Sequence, residues 1–251
     1  IVVDCNEDGF THENLVAICN VGKSSKTGAQ GYIGEKGIGF KSVFMVAWKV
    51  HIQSGDFSFS FRHKPGGSGM GMISPIWEDV EEQLQRPLTR MTLYLHEDTA
   101  PRETAMQQFR ELQDTLLLFT KNLQRLEVSM YDDEEKQLSS TVFAISSQNE
   151  NVKVLTKTLL ARDGTSEELT RNYHLTKYIA HDLPGSENRT YTDKEQKTRA
   201  YSRADIILAF PVTKDSVPVI EPQDVFAFLP IRSMGYTVGF PSCKALQVCV
   251  D

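Results

Sequence analysis

An α+β fold, with a mostly antiparallel sheet packed on helices, is what this sequence predicts, and three observations predict it. Helix-period apolar stripes occupy residues 13–21 and return after residue 101. Period-two alternation fills the stretch between them: Phe57, Phe59 and Phe61 alternate with serines, and Met91, Leu93 and Leu95 alternate with polar neighbours. Finally, Gly31, Gly34, Gly37 and Gly39 fall within nine residues and run straight into the apolar segment 40–48. A β-rich block flanked by two apolar helix faces buries both most simply as a sandwich.

In chain order, the β-branched run Ile1, Val2 and Val3 reads as a buried strand. A polar cluster of Asp4, Cys5, Asn6, Glu7 and Asp8 ends it, closed by Gly9 and Phe10. Thr11 is a suitable N-cap for a helix over 13–21, striped by Leu15, Ile18 and Cys19 and stopped by Gly22. Residues 23–28 form a polar connection into the glycine run, and 40–47 should be a helix buried on most sides. Strands are expected at 50–53, 57–61, 72–77 and 89–95, with a glycine-rich turn at 64–71 and an exposed acidic stretch at 78–85. Pro101 suits the first turn of a helix that reaches about residue 122 on the stripe Met106, Phe109, Leu112, Leu116 and Phe119. That helix connects two expected domains, 1–122 and 123–251. The second holds strands at 126–131, 142–147, 152–158, 173–179, 206–212 and 225–229, interrupted by a polar segment at 184–199, and shows no motif that carries chemistry.

The bulk composition excludes several classes. A chain of 251 residues that is 40% hydrophobic and 24% charged is an ordinary soluble globular sequence. A net charge of −6 lacks the electrostatic footprint of a nucleic-acid binder. Cys5, Cys19, Cys243 and Cys249 have no metal-type spacing and read as reduced thiols. No run approaches a membrane span, and no basic-then-apolar leader opens the chain. The expectation is an intracellular protein, cytoplasmic or nuclear, with no membrane partner. Because Ile1 opens in mid-strand without a methionine, the sequence is also expected to be a fragment.

The glycine run is where chemistry is concentrated. Glycines at this density are costly in conformational entropy and belong where the backbone must come close to something. A glycine loop opening a helix offers free N–H groups and a positive dipole end to phosphate. The alternative, a flexible linker, favours serine and polar residues, whereas this loop runs into Phe40, Val43 and Phe44. A Walker loop fails because Phe40 separates Gly39 from Lys41 and Ser42, and a Rossmann turn fails for want of a third glycine in place. The six histidines form no pattern with Ser, Cys or Asp, and Phe57, Phe59 and Phe61 read as core.

An ordered set of motifs does fit. Asn6 to Thr11 forms an acidic glycine turn, followed by Ala17, Ile18 and Cys19, by Gly22, Lys23, Ser24 and Ser25, and then by Tyr32-Ile33-Gly34-Glu35-Lys36-Gly37-Ile38-Gly39-Phe40-Lys41-Ser42-Val43-Phe44. Together these resemble the GHKL ATPases, which share the Bergerat ATP-binding fold, and most closely the sacsin and NO VEIN branch. Phe226-Ala227-Phe228-Leu229-Pro230 is similar to a further feature of that branch. The resemblance spans residues 1–100 and continues more weakly to about 235. It implies a Bergerat-type two-layer sandwich of helices and mixed, mostly antiparallel sheet over 1–122, with a β-rich extension.

The resemblance also implies roles. Asp4, Asn6 or Asp8 would accept from the adenine amino group, with Gly9 as the matching glycine of that turn. Gly34, Gly37 and Gly39, with Ile38 and Phe40 between and after them, would carry backbone N–H groups to phosphate, and Lys36 or Lys41 would add charge. Thr89 would support the adenine end, and Gly22, Lys23 and Ser24 would lie on the lid side. On their own residues, Asp4 and Asp8 read equally as turn carboxylates, Lys41 as a solvated helix lysine and Thr89 as a strand threonine. The implied cofactors are ATP and Mg²⁺, and the implied function is ATP binding with a possible chaperone-like conformational switch, nucleotide and protein clients or self-association being the partners. In this family the hydrolytic Glu and the Mg²⁺-binding Asn sit on a helix before the acidic turn, ahead of Ile1, so no catalytic residue is assigned. The alternative is a non-catalytic interaction module that keeps the fold.

Overall fold

The architecture is known from a computed structural model, which describes residues 1–19, 39–64, 66–67, 69–80, 83–85, 88–120, 122–132, 134–184, 197, 202–220, 224–227, 229–233 and 247–250. Among these, thirteen strands in two sheets stand against three α-helices, one of them four residues long. The chain is therefore mostly β. This corrects the expected fold class: the helices are too few and too short to make the second layer of a Bergerat-type α+β sandwich. Two units divide the chain, Ile1–Glu111 and Leu112–Asp251.

The first unit contains β1 (Val2–Cys5), α1 (His12–Cys19), a 3-10 turn (Phe40–Met45), β2 (Ala47–Ser54) and β3 (Phe57–Arg62). A second 3-10 turn (Gly69–Met72), β4 (Ile76–Trp77), β5 (Thr89–Leu95) and α2 (Thr99–Arg110) complete it. Its sheet runs β1-β5-β2-β3-β4 with every neighbour antiparallel. Ala47, Val50, Ile52, Phe59 and Phe61 are fully buried on one face, where Leu15 of α1 and Phe44 of the first 3-10 turn cover them. At its start α1 is closed reciprocally: Thr11 Oγ1 accepts from the Asn14 amide at 3.3 Å, and Asn14 Oδ1 accepts from the Thr11 amide at 2.9 Å.

Four local expectations are corrected here. Among the described residues β1 is an edge strand paired only with β5, and its Val2 and Val3 are exposed: β-branching fits a residue to the pleat without burying it. Residues 40–47 make a 3-10 turn and then a strand. Ser42 Oγ turns back to the Gly39 carbonyl at 2.7 Å, and the Val46 amide closes on Val43 at 3.1 Å. The expected strand at 72–77 shrinks to Ile76–Trp77. The long helix at 101–122 breaks after Arg110, because Leu116, Leu117, Leu118 and Phe119 are all buried, and no amphipathic stripe buries four consecutive residues.

That tetrad is α3 (Leu116–Phe119), and it opens the second unit. After it come β6 (Arg125–Tyr131), β7 (Gln137–Ser147), β8 (Val152–Ala161), β9 (Ser166–Ala180), β10 (Ala204–Val212), β11 (Asp224–Ala227), β12 (Leu229–Ser233) and β13 (Gln247–Val250). They order as β12-β11-β13-β10-β9-β8-β7-β6, antiparallel apart from the β11–β13 pair. The expected strand at 225–229 is thus two strands, and β13 was not foreseen. α3 packs with Phe143, Leu155, Tyr173, Leu175 and Ala209 in a separate core. The polar segment expected at 184–199 lies almost wholly outside the described residues. Among the described residues no helix is long and apolar enough to cross a membrane.

Candidate functional site

The acidic turn is seated by strand register. Cys5 pairs with Thr89 and Thr89 pairs with Ser54, so the ends of β1, β5 and β2 form one row across the sheet. Side chains alternate along a strand, which puts Ser54 and Thr89 on the same face as Ile52 and Met91, at the rim of the core. Their hydroxyls bond each other at 2.6 Å, both fully buried. Ser54 Oγ also accepts the Phe10 amide at 2.8 Å. Directly beside it, Gly9 holds φ +88°, and a Cβ there would meet Ser54 Oγ at 3.2 Å. Any L side chain at Gly9 is strained and crowded at once. Gly9 and Thr89 are thereby brought together through Ser54, a residue the sequence does not single out.

The three polar candidates on this turn separate. Asp4 faces the opposite side of the sheet, where Arg90 clamps it with Nε at 2.7 Å and Nη2 at 2.8 Å. This is a bidentate pair that holds both carboxylate oxygens. Asn6 and Asp8 are exposed on the turn itself, with no hydrogen bond or ion pair among the described residues.

Of the residues expected at the phosphate end, Gly22, Lys23, Ser24, Gly34, Lys36, Gly37 and Ile38 lie outside the described residues. Gly39 is exposed and helical at φ −57°, ψ −44°, and a Cβ on it would meet nothing within 4 Å. Phe40 belongs to the core, with its ring 5.6 Å from Phe61 and 6.2 Å from Phe44. Lys41 is half-buried. Its ammonium donates to the Ile18 carbonyl at 2.7 Å and to the Met72 carbonyl, and lies 5.0 Å from the Phe40 ring centroid and 4.9 Å from that of Phe61. Burial pushes Lys41 below its ordinary value and raises the Cys19 thiol above its own, each opposed by the charge of the other. α1 is therefore tied at both ends, through Phe10 to Ser54 and through Ile18 to Lys41. At about 1.5 Å per residue it separates the two groups by about 12 Å.

Two further arrangements lie away from these residues. On the polar face of the sheet, Glu78 receives Lys49, Ser60 and Arg62. Beside the start of β2, a groove of about 500 Å³ is lined by Trp48, Lys64, His96 and Glu97, none of them a predicted site residue. Among the described residues no group of three or more His, Cys, Asp or Glu is arranged to hold a metal ion.

Against known proteins, no family model matches the chain, and no solved structure matches it. The chain is similar to the protein NO VEIN of Arabidopsis thaliana, at 31% identity over 251 aligned positions covering 94% of this chain. It spans 8% of the length of that relative. The likeness to NO VEIN read from the motifs thus extends over nearly the whole chain, and it carries no statement about nucleotide.

Proposed function

We propose that the first unit binds ATP, with the base at the acidic turn and the phosphates at the Gly39 end. The observation that carries this reading is the row Cys5–Thr89–Ser54, whose paired hydroxyls hold the Gly9–Phe10 backbone beside the exposed Asn6 and Asp8. Asn6 or Asp8 accepts from the exocyclic amine. Arg90 holds Asp4 on the other side of the sheet, which favours Asn6 and Asp8 for that role. Support at the other end comes from Gly39, which is exposed and where a Cβ would meet nothing within 4 Å among the described residues. No hydrolytic step is assigned to these residues.

Magnesium-ATP should raise the melting temperature of the protein. At a hundred-fold excess over Kd the linkage is about 2.7 kcal/mol, or about 5–10 °C for a chain of this size. No shift at millimolar nucleotide overturns the reading. Gly39→Ala adds a methyl group to an exposed helical position, so the unliganded protein should melt within about 2 °C of wild type. If phosphate approaches this backbone, the nucleotide shift should nevertheless fall away. A Gly39→Ala variant that binds as wild type places the phosphates elsewhere.

A further inference from the structure

We propose that two neighbouring hairpin tips of the second sheet form a docking groove for a basic segment of another protein, independently of the nucleotide reading. The β6–β7 and β8–β9 turns lie side by side because the strands run β9-β8-β7-β6, each antiparallel to the next. Leu138 and Leu160 line a groove of about 220 Å³ there, together with Gln137, Ser139, Ala161 and Arg162. The two leucines are 39% and 43% exposed, whereas the core of this unit gathers around α3, Phe143, Leu155 and Tyr173. Leu138 is turned out by the backbone itself. Met130 pairs with Ser139 and Tyr131 with Gln137, so Leu138 is the extra residue of a bulge, and a bulge re-aims the side chain it carries. Tyr131, which ends β6 opposite Gln137, is exposed as well.

The charges around the leucines select the partner. Asp132, Glu134 and Glu135 rim the first turn and Asp163 the second. Glu168 pairs with Thr158 and Leu160 with Ser166, so Glu168 shares the face of Leu160 one strand away. The cations of the rim are already engaged, Lys136 with Glu134 at 2.6 Å and Arg162 with Asp132 at 3.8 Å. The carboxylates of Glu135 and Glu168 have no ion pair or hydrogen bond among the described residues. An apolar groove under an unbalanced negative rim suits a segment with one apolar side chain flanked by lysine or arginine. The aliphatic stems of those cations add cover to Leu138 and Leu160 while their heads reach Glu135 or Glu168. An acidic segment or an anionic lipid surface would meet its own sign at this rim. A second copy of the chain, related by a two-fold axis, would set one acidic rim against the other.

The test measures fluorescence anisotropy of labelled, end-blocked peptides with the full chain. The probes are Lys-Leu-Lys-Lys-Leu-Lys, its counterpart with glycine for leucine, and its counterpart with glutamate for lysine. The lysine–leucine peptide should bind, and more weakly as salt is added; the other two should bind at least about tenfold more weakly. Leu138→Ser with Leu160→Ser should weaken it about tenfold. Glu135→Gln with Glu168→Gln should weaken it about fivefold and flatten the salt dependence. Glu150→Gln, in the turn at the other end of β7 and β8, should change nothing. All these side chains are exposed, so the variants should melt as wild type does; if the serine pair fails to fold, the glutamine pair decides alone. No binding of the lysine–leucine peptide at millimolar concentration overturns the proposal, as does binding that neither pair of substitutions weakens. Equal binding of the lysine–glycine peptide, or an equal loss in Glu150→Gln, overturns it in favour of diffuse charge. A dimer in sedimentation that the serine pair abolishes assigns the groove to a second copy. Tighter binding to phosphatidylserine vesicles than to the peptide assigns it to a lipid surface, and either result overturns the proposal.

Discussion

Glu78 shows how far a single residue can depart from its reading in sequence. As the first member of an acidic stretch it is expected exposed, yet its carboxylate receives Lys49 at 2.8 Å, Ser60 at 2.6 Å and Arg62 at 3.1 Å. Partial burial works to raise its pKa, and these donors together outweigh burial and hold it at about 2. A depressed carboxylate contributes stability that is fully present above its unfolded value, near 4.5, and is lost as pH falls through about 2. Glu78→Gln should therefore cost about 2 kcal/mol at pH 7. In urea unfolding, the gap to wild type should begin to close below about pH 4.5; a gap of the same size at pH 3 assigns the loss to packing. Nothing in the sequence announces this cluster, because Lys49 and Arg62 become neighbours only through the β2–β3 register. Ser54 is hidden for the same reason. Gly9 and Thr89 were singled out because their neighbours resemble an order of motifs, not because of what they touch.

At the scale of elements, alternation was dependable, while helix period held for α1 and misled over the long stripe after residue 101. Phe59 and Phe61, with Met91, Leu93 and Leu95, pack in the core cluster of the first sheet, as period two requires. The long helical stripe instead joined two elements that a polar break separates. Asp114 sits in that break with its carboxylate fully buried and accepts from Arg171 of β9 at 2.8 Å. Asp114 Oδ2 and Arg171 Nε have no partner among the described residues. The pair fixes α3 against the second sheet, since Leu117 and Leu118 bond back to Asp114 and Thr115 at 3.1 and 3.0 Å. Removing one member strands a buried charge, whereas removing both does not. Arg171→Met should thus cost about 3 kcal/mol, and the Asp114→Leu, Arg171→Met double variant should recover at least half of it. Denaturant unfolding of the three variants measures both. A double variant as unstable as the single one shows that the pair is held for its shape and not for its charge.

At the scale of the whole molecule, the two units keep separate cores. The cluster built on Ala47, Val50, Ile52, Phe59 and Phe61 lies entirely within Ile1–Glu111, and the cluster built on α3, Phe143, Leu155 and Tyr173 lies entirely within Leu112–Asp251. No strand of one sheet pairs with a strand of the other among the described residues. The first unit also carries Asn6, Asp8, Gly9, Ser54, Thr89 and Gly39, the described residues on which the nucleotide reading depends. A chain of its length exceeds the size at which a single core sustains an independent fold. Residues 1–111 expressed alone should therefore show a strand-rich circular dichroism spectrum and one cooperative thermal transition. They should also keep the magnesium-ATP shift of the full chain, while residues 112–251 show none. If 1–111 folds cooperatively but loses the shift, the second unit contributes to the site, and the base and phosphate ends described above are only part of it. If 1–111 fails to fold while the full chain does, the two cores depend on each other in spite of sharing no residue.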